Sequence, residues 1–139
     1  GAWARAPGRA GLVIDCGSAV TIDALQADGR HLGGVIFPGP AMMVEAFHAR
    51  TGLPRQVLPA PYDLAASGTA QAVASGARTA LIGGIERALR HWHERLPGAV
   101  RWLTGGDAPD LAADLPSDVR LVPHLVLEGL GVMIDREQQ

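Results

Sequence analysis

Three short strand-like segments follow one another near the start of the chain, and the gaps between them are too short for a crossover. Residues 11 to 15 (Gly-Leu-Val-Ile-Asp) form an apolar run ending in an acid, as expected of a buried strand. Cys16-Gly17-Ser18 is a tight-turn candidate. Residues 19 to 25 then alternate, with Val20, Ile22 and Ala24 on one face. Asp28-Gly29 is a strong hairpin signal, and His31 to Phe37 reads as a third strand stopped by Pro38. Parallel neighbours need a connection of roughly a dozen residues or more, so these three strands must form an antiparallel meander.

From Pro40 the pattern becomes helical. Met42, Met43, Ala46 and Phe47 recur at three- and four-residue spacing, and Gly52 ends the segment. Leu53 to Tyr62 contains three prolines and is expected to be a loop. A long helix is expected from Thr69, as N-cap, to about Leu96. Gly83-Gly84 either interrupts it or lets it pack closely, and Pro97-Gly98 ends it. A fourth strand covers residues 100 to 103, followed by Thr104-Gly105-Gly106-Asp107 and a short helix over 109 to 115. A fifth strand covers 119 to 122, and Pro123 opens a last helix through about Ile134. The order β-β-β-α-(α)-β-α-β-α implies an α/β fold, a mixed sheet with helices on its faces. It resembles the ribonuclease-H-like unit of the actin, acetate kinase and sugar kinase superfamily.

Composition narrows the function. The 139 residues, 47% hydrophobic and 19% charged, suit one folded domain over 1–139 rather than a disordered chain. No apolar run approaches the ~18 residues of a membrane span. All twelve basic residues are Arg, scattered and offset by fourteen acids, which argues against a nucleic-acid surface. The single cysteine, Cys16, excludes an internal disulfide framework and a cysteine-rich zinc site, and fits a reducing cytoplasm.

Two stretches suggest chemistry. In Asp15-Cys16-Gly17-Ser18 a carboxylate leaves a strand, a glycine lets the backbone turn, and a hydroxyl follows. Backbone N–H groups in such a turn can converge on a phosphate oxygen, and the acid can hold a cation beside it. The same residues also fit a plain hairpin turn. Thr104-Gly105-Gly106-Asp107 lies at the carboxyl end of an expected strand, where ligands bind in open α/β sheets. It also fits a simple strand-to-helix loop with Asp107 as N-cap. His91 and His93, two apart on a helix, point to different faces and make a poor metal pair. Cys16 reads as a small buried apolar residue, and Met42-Met43 as core.

Taken together, D-C-G-S-A-V-T-I-D, D-G-R-H-L-G-G-V-I-F-P-G, A-R-T-G-L-P, S-G-T-A-Q-A-V-A-S-G, L-T-G-G-D-A and P-H-L-V-L-E-G-L resemble the type III pantothenate kinase family, which includes the Bvg accessory factors. The resemblance runs from about Gly11 to Leu130. It implies ATP-dependent phosphorylation of pantothenate, the first step of coenzyme A synthesis, with magnesium and a monovalent cation (potassium or ammonium), by a homodimer in the cytoplasm. By position it implies Asp15 as monovalent-cation ligand and Ser18, beside Gly17, as ATP contact. Thr69 would contact pantothenate, Gly105 and Gly106 would lie near the adenosine, and the long helical segment would form the dimer.

Two departures accompany the resemblance. Ser18 stands where the family usually has Thr. The family's N-terminal D-x-G-N-T/S phosphate loop and its G-x-D-R segment, which carries the catalytic Asp, have no counterpart here. The expectation is therefore the C-terminal lobe of a two-lobed kinase, packing on an N-terminal domain that this chain does not contain and inactive alone. The alternative is a non-catalytic, nucleotide-binding accessory protein of the same fold.

Overall fold

The computed structural model describes residues 1–53 and 62–137. Strands β1 (Gly11–Cys16), β2 (Ala19–Leu25), β3 (His31–Pro38), β4 (Val100–Thr104) and β5 (Val119–Leu121) form one sheet in the order β3-β2-β1-β4-β5. β1, β2 and β3 pair antiparallel as expected, whereas β4 lies parallel to β1 and β5 parallel to β4. Helices α1 (Ala2–Arg5), α2 (Pro40–Thr51), α3 (Thr69–Arg95), α4 (Ala108–Leu111) and α5 (Leu125–Glu137) complete the fold. A mixed sheet flanked by helices is thus observed, consistent with a ribonuclease-H-like unit.

Strand alternation decides the two faces. Leu12, Ile14 and Cys16 of β1, Val20, Ile22 and Ala24 of β2, and Leu103 of β4 form one apolar surface. Leu81, Ile85 and Leu89 of α3 share that core at four-residue spacing, and all ten of these residues are buried. On the other face Val100 and Trp102 of β4 cluster with Ala2 of α1 and Leu125 of α5, and Val13 packs against them. Among the described residues no helix is long and apolar enough to cross a membrane.

Several local expectations change. β3 runs through Pro38 instead of stopping before it; an edge strand tolerates a residue with no N–H to give. Gly68, not Thr69, is the N-cap of α3, and no side chain caps that end. The helix continues unbroken through Gly83-Gly84, and Gly84 faces the Phe37 ring: a Cβ there would lie 2.8 Å from Cε1. The segment after β4 is one turn of α-helix followed by a 3-10 turn over Ala112–Asp114, and α5 starts at Leu125, two residues beyond Pro123. The proline-rich loop expected between Leu53 and Tyr62 falls largely on residues 54–61, outside the described residues. Helix α1 was not anticipated; its four residues carry too short a pattern to register as a period.

Candidate functional site

The parallel pairing of β1 and β4 sets Asp15 opposite Thr104, so two loops leave the sheet side by side at its carboxyl edge. The first is the turn after Cys16, where the Gly17 N–H donates to the Ala19 carbonyl at 3.0 Å. The second turns at Gly105, whose φ is +98°. That loop is seated on the first, with the Asp107 N–H donating to the Cys16 carbonyl at 2.9 Å. A Cβ on Gly105 would overlap the Cys16 carbonyl oxygen and come within 2.5 Å of Asp15 Oδ1. Only glycine satisfies both the left-handed backbone and this approach. Its second role is to leave the Asp15 carboxylate room at the mouth of the loops.

A third connection joins the same edge. Thr104 is buried, and its Oγ1 donates to the Pro123 carbonyl at 3.3 Å, while the Val122 N–H donates to the Leu103 carbonyl at 2.7 Å. The β5–α5 turn is thereby tied to the end of β4. Between these connections lies a cleft of about 400 Å³. Asp15, Thr104, Gly105, Gly106 and His124 supply its backbone and polar lining, and Pro109, Pro123, Val126 and Leu127 its apolar walls. Apolar walls with a few converging polar groups are the usual make-up of a small-molecule site.

Of the residues singled out in the sequence, Asp15, Gly105 and Gly106 meet in this cleft. Gly17 and Ser18 do not line it; they form the adjoining turn, where Ser18 is exposed and its carbonyl accepts the Gly39 N–H at 3.0 Å. Thr69 opens α3 as an exposed residue and lies outside the cleft lining. Thr104, singled out with the glycines that follow it, lines the cleft too, whereas sequence reasoning missed Pro109, Pro123, His124, Val126 and Leu127 as lining. The available signal was the loop after the second parallel strand, since ligand sites gather beyond the carboxyl ends of such strands.

The remaining suspects behave as packing or surface residues. Cys16 is fully buried, and burial, reinforced by the negative charges of Asp15 and Asp107, pushes its thiol up to about 12. His91 and His93 are exposed, and His91 Nδ1 lies 3.1 Å from an Arg95 nitrogen. No group of three or more His, Cys, Asp or Glu side chains among the described residues could hold a metal ion. A second cleft, of about 430 Å³, opens near the amino ends of β4 and β5, and both of its arginines are engaged in ion pairs. Arg101 pairs with Asp118 at 2.9 Å and Arg90 with Glu86 at 3.8 Å.

The family model for type III pantothenate kinase matches residues 1–91. The chain belongs to the type III pantothenate kinase family. It is 38% identical over 121 residues to a type III pantothenate kinase of Nitrosococcus oceani, a match covering 86% of this chain and 46% of the relative. It is 42% identical over 134 residues to one from Halorhodospira halophila, covering 94% of this chain and 51% of that protein. The chain therefore spans about half the length of the curated relatives it matches. Among solved structures, a conserved protein of Campylobacter jejuni described as a Baf family transcriptional activator superposes with a TM-score of 0.69. That match has 26% identity and covers 92% of this chain and 58% of the other. The Asp15 and Gly105 loops of this pantothenate kinase family member thus lie at the carboxyl edge of a sheet whose overall arrangement a solved relative shares.

Proposed function

We propose that these residues are the C-terminal lobe of a type III pantothenate kinase and provide one wall of the cleft in which ATP phosphorylates pantothenate. The observation that supports this most is the seating of the Gly105 loop on the Asp15 turn. It places a carboxylate, a glycine-lined backbone and apolar walls around one space, where a nucleotide can lie with its phosphates toward the β1–β2 turn.

Within that reading, Gly105 and Gly106 let the nucleoside approach the backbone, and the Gly17-Ser18 turn offers an N–H and a hydroxyl to phosphate oxygens. Asp15 fits a monovalent cation such as potassium or ammonium, since it offers a carboxylate near the Cys16 carbonyl. A cation held there would screen phosphate charge. Magnesium is bound largely through nucleotide phosphates and water and needs few protein carboxylates. Thr69, exposed at the start of α3, contacts pantothenate, and α3 forms the contact between two copies in a homodimer.

Phosphoryl transfer requires the phosphate chain to be held from both sides with a base near the attacking hydroxyl. This lobe offers one side and assigns no base, so the 139 residues are inactive alone, and turnover belongs to the assembly with an N-terminal lobe. The test is pantothenate-dependent ADP release, with and without potassium, by the chain alone and by the chain joined to the half of the Nitrosococcus oceani relative that the match leaves uncovered. Potassium-stimulated turnover by the joined protein alone is expected, and Asp15→Asn should lose the stimulation. Turnover by the isolated chain would refute the two-lobe reading.

A second reading draws on the Campylobacter jejuni structure, whose description is that of a transcriptional activator. It makes this chain part of a non-catalytic, nucleotide-binding accessory protein. Calorimetric titration separates the two: the kinase binds ATP and pantothenate, the accessory protein nucleotide only.

A further inference from the structure

Arg78 of α3 stands between two segments that lie outside the sheet. On one side is the single turn of α4 with its 3-10 extension, too short to be stable from its own hydrogen bonds. Ala108, Leu111 and Leu115 hold its apolar side in the core. Its polar end is held by Arg78: Nε pairs with Asp114 Oδ2 at 2.6 Å, and Nη2 donates to the Asp110 carbonyl. That carbonyl belongs to the end of α4, where helix carbonyls lack partners within the helix. The two charged side chains are only 22% and 26% exposed, so solvent screens this pair less than a surface one. On the other side is the segment that leads into α3. The Tyr62 ring lies against the same guanidinium, its centroid 5.6 Å from Cζ. Tyr62 Oη is 3.4 Å from Thr79 Oγ1, and the Asp63 N–H donates to the buried Ser75 hydroxyl at 3.1 Å. These contacts step back along α3, from Thr79 to Ser75, in the direction of Thr69.

We infer that Arg78 is a positioning residue that sets the glycine loop of the cleft and the approach to Thr69 in register with each other, a proposal that rests on the kinase reading above. Asp110 adjoins Pro109, which walls the cleft, and α4 follows directly on Gly105-Gly106-Asp107. Displacing the end of α4 therefore displaces the wall that faces the nucleotide. Displacing Tyr62 and Asp63 likewise displaces the chain that enters α3 at the pantothenate contact. A guanidinium suits both tasks, because its planar fork donates in fixed directions while its face lies against an aromatic ring. Lysine keeps the charge but is a point donor, and it does not reproduce the fork and the ring contact together. Transfer between two substrates requires both to be aligned, and one side chain common to both segments aligns them together.

The test reads the link and its consequence separately. Tyr62 is the sole tyrosine of the chain, so incorporated 3-fluorotyrosine gives one fluorine resonance at this junction. Asp114→Ala should move that resonance in the parent chain and leave it in place in the Arg78→Gln and Arg78→Met backgrounds, because the guanidinium is the link. No movement in the parent, or equal movement in all three, overturns the proposal. Kinetics are read on the chain fused to the half of the Nitrosococcus oceani relative that the match leaves uncovered. Arg78→Lys should raise KM for ATP and for pantothenate together, about tenfold each, within the ~100-fold that misplacement of a reacting group produces. Arg101→Lys, in the ion pair with Asp118, is the control and should leave both constants unchanged. A merely structural role lowers the folded fraction, and with it kcat, at constant KM. That result, or a rise in one KM alone, overturns the proposal. Absence of turnover in the unmutated fusion refutes the kinase reading instead, and the fluorine measurement then decides by itself whether Arg78 joins the two segments.

Discussion

Replacing Gly105 by alanine tests whether the two loops of the site are held together by close backbone approach. Two costs add at this position. The first is conformational: at φ +98° an L side chain is strained by about 1–3 kcal/mol. The second is steric. The new methyl would overlap the Cys16 carbonyl oxygen, a backbone atom that cannot rotate away, and would crowd Asp15 Oδ1. Relieving it means lifting the Gly105 loop off the Asp15 turn and weakening the bond from the Asp107 N–H, a further cost of about 1–3 kcal/mol by analogy with overpacked cores. Gly33 separates the two terms. Its φ is +113°, and nothing lies within 4 Å of a Cβ built there. Gly33→Ala therefore carries the conformational cost alone. Urea unfolding of both variants, read as the midpoint shift at constant slope, should show Gly105→Ala the less stable by about 1–3 kcal/mol. Equal losses would refute the seated-loop description, because only the overlap distinguishes the two positions.

Glycines within α3 give a second contrast. Gly83 has open space around a Cβ, so Gly83→Ala should stabilise by about 0.5–1 kcal/mol in thermal or urea unfolding, whereas Gly84→Ala should gain less or lose, since its methyl meets the Phe37 ring. Leu81→Ala, deep between α3 and the sheet, should cost about 2–5 kcal/mol by the same assay. The Cys16 thiol should resist iodoacetamide at pH 8 in the folded chain and react once urea unfolds it, since it is both buried and protonated. Glu128 should titrate below an ordinary glutamate, because the Arg5 guanidinium hydrogen-bonds its carboxylate. The unfolded chain then binds the proton more readily, so this pair's contribution is present above the unfolded value and fades as pH falls through the folded one. Side-chain NMR should show the lowered value return toward normal in Arg5→Ala.

Much of the site was legible because its chemistry is local. Asp15 at the end of an apolar run and two glycines after another announce turns at the ends of two strands. The other wall was not legible. Pro109, Pro123, His124, Val126 and Leu127 carry no pattern that distinguishes them from ordinary loop and helix residues, and the last four reach the glycine loop through the pairing of β5 parallel to β4. Ser18 and Thr69 show the converse. Both were singled out by motif, and both lie outside the cleft that this chain forms by itself.

The sequence by itself determined the elements that depend on neighbours a few residues away. The meander followed from gaps too short to cross over, and the buried face of β2 from the alternation of Val20, Ile22 and Ala24. The glycine needed at position 105 belongs with the tertiary structure, because its reason is a carbonyl 89 residues earlier in the chain. Tertiary structure also chose β1 as the partner of β4 and brought the β5–α5 turn to Thr104. Short-range sterics and side-chain periodicity are written into each segment. Strand pairing and helix docking depend on the fit between faces distant in sequence, which no single segment contains.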